Sequence, residues 1–209
     1  MTTENQTPEK TEEVEKQAEM MRLLTQVYQH SITAIKSGFP DNEVDGQIMN
    51  HEQFGPLLVF HVKNEQGHVY SCGFFLNELL NKFQKGTNAA TYLSSFFVDL
   101  METEGGKPLP QPPQSEDDVT HLIDNELIPH CRKAVQEEFE PEIIHIQLDL
   151  HEQYGPVLES GFQAITEGNN VCAVPIPILM IHYLLNRDPA DIIINGLYRI
   201  RDEHGLGQP

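Results

Sequence analysis

Apolar positions along the chain follow two rhythms, and the order of those rhythms occurs twice. In residues 11–37, Met20, Leu23, Leu24, Val27, Tyr28, Ser31, Ala34 and Ile35 recur at helical spacing. They predict one long helix with a single buried stripe, which Gly38 and Pro40 end. Val44 and Ile48 then point inward while Gln47 and His51 point outward, the period of two that marks a strand. Further strands are predicted at 57–63 and 68–74, joined by the hairpin-forming residues Asn64, Glu65, Gln66 and Gly67. A short helix over 76–83 follows, and Asn88 caps another that runs to about residue 102.

The same succession returns after residue 116. A helix over 117–138 carries Leu122, Leu127, Ile128, Ala134 and Val135, and Pro129 in its middle predicts a kink or a split. Ile144, Ile146, Leu148 and Leu150 alternate with His145, Gln147, Asp149 and His151, which predicts one buried and one exposed strand face. Strands at 157–165 and 171–174 come next, followed by helices over 178–185 and from Asp188 to about residue 201. Ile192, Ile193, Ile194, Leu197, Tyr198 and Ile200 are too many for one narrow stripe and predict burial on more than one side of the last helix. Between the two successions, EGGKPLPQPPQS holds two Gly and four Pro and reads as an extended linker.

The repetition extends to residue identity. HEQFGPLL at 51–58 returns as HEQYGPVL at 151–158, and a gapless offset of 100 also matches His30/His130, Ala34/Ala134, Phe39/Phe139, Gln47/Gln147 and Cys72/Cys172. Solenoid repeats recur every 20 to 50 residues or so, so a period of 100 defines a domain-sized unit. The sequence therefore reads as an α+β tandem duplication of an α-β-β-β-α-α unit, with antiparallel sheets, helices on one face of each, and a pseudo-two-fold relation. The expected divisions are a disordered acidic tail at 1–10, a first repeat at 11–103, the linker at 104–116, a second repeat at 117–204 and a tail at 205–209.

Charge narrows the partners. Thirteen Lys and Arg stand against 32 Asp and Glu, a net charge of −19. Such a surface repels phosphate backbones and anionic lipid, so direct nucleic-acid and membrane binding are disfavoured and a basic protein partner is favoured. An acidic, polar start and the lack of a long apolar run predict a cytoplasmic protein. Cys72, Cys131 and Cys172, an odd number without a CxxC pair, argue against disulfides and a zinc ribbon, and Cys72 and Cys172 read as small buried hydrophobes.

Candidate chemistry is sparse. The doubled turn supplies His51, Glu52, Gln53, His151, Glu152 and Gln153 as candidate binding residues. If the turns met, two His and two carboxylates would suit a divalent metal or acid–base work. As structural turns, Gly-Pro shapes the backbone, Phe54 or Tyr154 anchors the turn on the core, and the His or Gln side chain satisfies loose backbone groups. HEQ is not HExxH, since Gly55 lies four residues after His51. His30 and His130 read as packed, hydrogen-bonded helix residues, and Ser115 or Asp117 as a helix cap. No catalytic residue, metal ligand or cofactor is assigned. The first expectation is a non-enzymatic acidic protein-binding module (adaptor, chaperone or inhibitor), with homo-oligomers allowed. The alternatives are a DNA-mimicking inhibitor of a nucleic-acid-binding enzyme and a small-ligand or metal site built on the two HEQ turns.

Overall fold

The computed structural model describes residues 8–51, 55–142, 144–164 and 170–205, with side chains from Glu15 onward. The chain divides into two compact units, Met1–Leu109 and Pro110–Pro209. Each is α+β with one three-stranded antiparallel sheet.

In the first unit, α1 (Pro8–Gly38) precedes β1 (Glu43–His51), β2 (Gly55–Lys63) and β3 (Val69–Phe75). Helices α2 (Leu76–Gln84) and α3 (Ala89–Met101) close it. Residues 8–10, expected in a disordered tail, are the first turn of α1. Proline at a helix start loses nothing, because its missing N–H has no intrahelical partner there. Asn88 caps α3, its side chain accepting the Thr91 N–H at 3.1 Å. Asn64 ties the β2–β3 turn by accepting from the Gln66 and His68 N–H groups.

Strand order is β1-β2-β3, and the alternation of β2 decides which way the sheet faces. Leu58, Phe60 and Val62 lie on the helix side with Val44, Cys72 and Phe74, where they meet Leu24, Val27 and Ile35 of α1, Leu79 of α2, and Leu93 and Phe97 of α3. The helices therefore pack on one face, and the hydrophobic effect acting on that shared face holds the unit together. The outer edge of β3 is not bare. Lys107 bridges it, donating its N–H to the Val69 carbonyl and accepting from Ser71 N–H, both at 2.9 Å. The start of the expected linker is thus an extra pairing on the sheet.

One position in this core is imperfect. Ser31 is fully buried in the α1 stripe and its hydroxyl has no hydrogen-bond partner among the described residues. A buried unpaired hydroxyl costs about 1–3 kcal/mol. Its counterpart at the offset of 100 is Cys131, also fully buried. Ser31→Cys is expected to stabilise the protein by about 1 kcal/mol, seen as a Tm rise of about 2–4 °C in calorimetry; an unchanged or lower Tm would show that the hydroxyl is satisfied.

The second unit comprises α4 (Glu116–His121), a wide π-helical turn (Leu122–Leu127), α5 (Ile128–Phe139), β4 (Ile144–His151), β5 (Gly155–Phe162), β6 (Val171–Pro175), α6 (Ile176–Leu184) and α7 (Ala190–Glu203). Ser115 caps α4 by accepting the Asp118 N–H, and strand order is β4-β5-β6. The ladders of the two units coincide at the offset of 100: His51 pairs with Gly55 and His151 with Gly155, while Phe60 pairs with Cys72 and Ser160 with Cys172. Ile193, Leu197 and Ile200 of α7 are buried, and Ile192, Ile194 and Tyr198 pack partly buried against the same cluster, so the crowded helix is indeed covered broadly.

Two expectations of burial are corrected. Of the four apolar residues on β4, Ile144 is buried and Ile146 half-buried, but Leu148 is 50% exposed and Leu150 77% exposed; on β1, Ile48 is 44% exposed. A strand advances about 3.3 Å per residue, so the ends of these hairpins run past the helices that cover their bases. Alternation reports which side a residue faces, not whether anything lies there. Cys172 is half-buried rather than buried, whereas Cys72 is fully enclosed.

Candidate functional site

The repeated turn is a local construction. Gly55 and Gly155 take left-handed φ angles of 73° and 71°, which a three-residue hairpin loop requires at its closing position and glycine adopts without strain. In the second unit the His151 Nδ1 accepts the Gln153 N–H at 3.2 Å, leaving the ring proton on Nε2. Tyr154 stacks on that imidazole at 4.8 Å and is 56% exposed. The expected anchoring of Tyr154 on the core is therefore corrected: the turn projects beyond the helices, and the nearest flat surface is the histidine. His151, Glu152 and Gln153 are all exposed. In the first unit His51 is half-buried and pairs with Gly55, while Glu52, Gln53 and Phe54 lie outside the described residues.

A second feature was invisible to periodicity. Pro129 lies at the start of α5, and the chain reaches it from α4 through the wide turn, with the Ile128 N–H reaching five residues back to the Ile123 carbonyl. Proline lacks an N–H and crowds the carbonyl four residues earlier, and a wide turn just upstream lets the chain stay helical through it. One residue is thereby added to the helix. Downstream, Leu127, Cys131 and Val135 keep the positions of Val27, Ser31 and Ile35; upstream, Ile123 packs on the core while Asp124, the counterpart of buried Leu24, is exposed. The signal was available as Asp124 standing opposite Leu24 in the gapless register.

Beside this turn, Glu126 accepts the Tyr183 hydroxyl hydrogen bond at 2.5 Å and lies 4.0 Å from His121 Nδ1. The hydrogen bond to Glu126, then burial, push the Tyr183 hydroxyl up to about 12. Pro110, Pro112, Pro113, His121, Glu126 and Tyr183 border an open depression of about 360 Å³. The Glu126 carboxylate and the Tyr183 phenol there are committed to each other, and Asp118, the second carboxylate on its border, accepts the Gln114 N–H.

The remaining polar groups are placed as follows. His130 is exposed rather than packed: its Nε2 lies 2.8 Å from Asp188 Oδ1, which also accepts the Ala190 N–H and so caps α7. His30 is exposed too, its ring edge-on to Phe83 at 5.1 Å. Asp45, His61 and Ser71 form a cross-strand row on the sheet face away from the helices, with His61 Nδ1 2.7 Å from Ser71 Oγ. Ser71 is 3% exposed and its N–H is taken by Lys107, so that hydroxyl is a structural partner of the imidazole. Burial pushes the Cys131 thiol up to about 12, which removes its thiolate at neutral pH. Among the described residues no group of three or more His, Cys, Asp or Glu is placed to hold a metal ion, and no helix is long and apolar enough to cross a membrane.

What the surface does offer is charge. Along the helical layer of the second unit Glu116, Asp117, Asp118, Asp124, Glu126, Glu137, Glu138 and Glu140 are all exposed, and Arg132 and Lys133 are the cations in the same stretch. No family model matches the chain, and neither a curated protein nor a solved structure matches it.

Proposed function

We propose that the protein is a non-enzymatic, acidic binding module that recognises a basic protein partner. The observation that carries this reading is the run of eight exposed carboxylates over residues 116–140, within a chain of net charge −19. Carboxylates this dense repel one another, and a partner rich in Lys or Arg relieves that repulsion on binding. Complementary charge also speeds encounter and selects against acidic competitors. We further propose that the two units arose by tandem duplication, supported by the matched residues and ladder registers. Three free cysteines fit the reducing cytoplasm.

The test is capture of partners by the tagged chain from its native cells at low and high salt, identified by mass spectrometry. A single basic protein that is retained at low salt and lost as salt rises is the expected result. Retention of acidic or neutral proteins only, indifferent to salt, would sink the reading. A basic partner that is itself a nucleic-acid enzyme would recast these carboxylates as a phosphate mimic.

A further inference from the structure

The sheet edge formed by β4 carries a pattern that neither the charge nor the turn explains. Among the described residues β4 pairs only with β5, so its other side is an edge. The Leu150 N–H has the carboxylate of the adjacent Asp149 as acceptor, at 2.7 Å. Edge strands are normally guarded by Pro, Lys, a bulge or a covering segment. β1 contains Gly46 and two acids, and β3 is bridged by Lys107; the β4 sequence IHIQLDLH contains no Pro, Gly or Lys. It instead exposes Leu148 and Leu150 on its helix-side face.

We propose that β4 pairs with β4 of a second copy, antiparallel about a two-fold axis through Gln147. In that register Ile144 faces the second copy's Leu150, Ile146 faces its Leu148, His145 faces its Asp149, and Gln147 faces itself. Apolar meets apolar on one face; on the other His145, which lies 4.0 Å from Glu159 of its own copy, meets Asp149 of the second, and both kinds of pairing stabilise antiparallel neighbours. The helix-side surface has a hollow beside the strand: Pro129, Gln136, Ile144, Ile146 and the stems of Arg132 and Lys133 border an open depression of about 540 Å³, where Leu148 and Leu150 of the second copy arrive. Knob and hollow lie on the same copy and are exchanged by the two-fold axis, as a self-complementary interface demands. β1 lacks this symmetry. Its central register sets Asp45 against Met49 and Val44 against Asn50, and pairing β1 with β4 in the equivalent register sets Asp45 against Asp149. The result is a six-stranded sheet across two copies, continuous through the backbone ladder.

The experiment is sedimentation equilibrium of the full chain over a concentration series, with two variants. The wild type is expected at twice the chain mass. Leu148→Lys with Leu150→Lys changes only exposed side chains, so circular dichroism should be unchanged while self-association weakens at least roughly a hundredfold. Gln147→Cys tests the register. Gln147 faces its own copy across a non-hydrogen-bonded pair, where Cα atoms approach to about 4.5 Å, within disulfide reach. Mild oxidation should cross-link it far faster than a cysteine at exposed Gln26. A wild type that stays monomeric at every concentration overturns the proposal. So does a dimer that survives the double lysine variant, or cross-linking at 147 no faster than at 26.

Discussion

Phe74→Ala is expected to cost about 3–5 kcal/mol of folding stability. Phe74 is fully buried and sits where three elements meet. Its ring lies edge-on to Phe96 at 5.1 Å, tilted against Phe60 at 6.0 Å and against Tyr92 at 6.4 Å. Removing it forfeits the transfer of the ring from water, leaves a cavity that β2 and α3 cannot collapse around, and breaks aromatic pairs worth about 0.5–1.5 kcal/mol each. Urea unfolding should show a lower midpoint with an unchanged slope. Leu150→Ala, by contrast, should change stability by no more than about 0.5 kcal/mol in the monomer, because that side chain is 77% exposed. A loss below about 1.5 kcal/mol for Phe74 would mean that the aromatic cluster repacks freely.

The contrast between these leucine and phenylalanine positions shows what the sequence can express. Period and turn chemistry revealed the strands, their inward faces and the repeated hairpin, because those depend on local backbone preference and on residues two or four apart. Ile144 and Leu150 are equal members of one alternating set, yet one is buried and the other open. What separates them is where the helices stop, a tertiary fact that no window along β4 contains. The wide turn before Pro129 was missed for the opposite reason. A one-residue insertion into a helix leaves both flanks periodic and only rotates one against the other, and the register against the first unit betrays it, through Asp124 opposite Leu24. The candidate turn was legible as a turn, down to a histidine satisfying a backbone N–H. The exposed carboxylates of residues 116–140 were legible as net charge but not as exposed groups, since composition does not say which acids reach the surface.

The two units also solve the same packing problem with different volumes, and the proposed duplication makes that difference testable. On edge strand β1, Gly46 pairs directly with Phe60, and Tyr28 of α1 stacks on Phe60 at 5.9 Å while donating its hydroxyl to the Gly46 carbonyl at 2.8 Å. Two aromatic rings thus cover a strand glycine, which compensates for its missing side chain. The counterparts at the offset of 100 are Ile146 paired with Ser160, and Ile128 in place of Tyr28. Volume has moved from helix and centre strand to the edge strand. A Cβ at Gly46 would lie 2.7 Å from the Val59 carbonyl, 2.8 Å from the Phe60 ring and 3.3 Å from the Tyr28 ring. Gly46→Ile alone should therefore cost about 3 kcal/mol through overpacking, with the carbonyl contact forcing the strands apart. Tyr28→Ile alone should cost about 2 kcal/mol through the lost ring and hydrogen bond. Made together they should cost about 1 kcal/mol less than the sum, because the smaller residue at 28 vacates the space that the larger one at 46 needs. Urea unfolding of the four proteins closes the cycle. Strict additivity would show that the two positions do not share one volume, and would remove the packing exchange as support for the duplication.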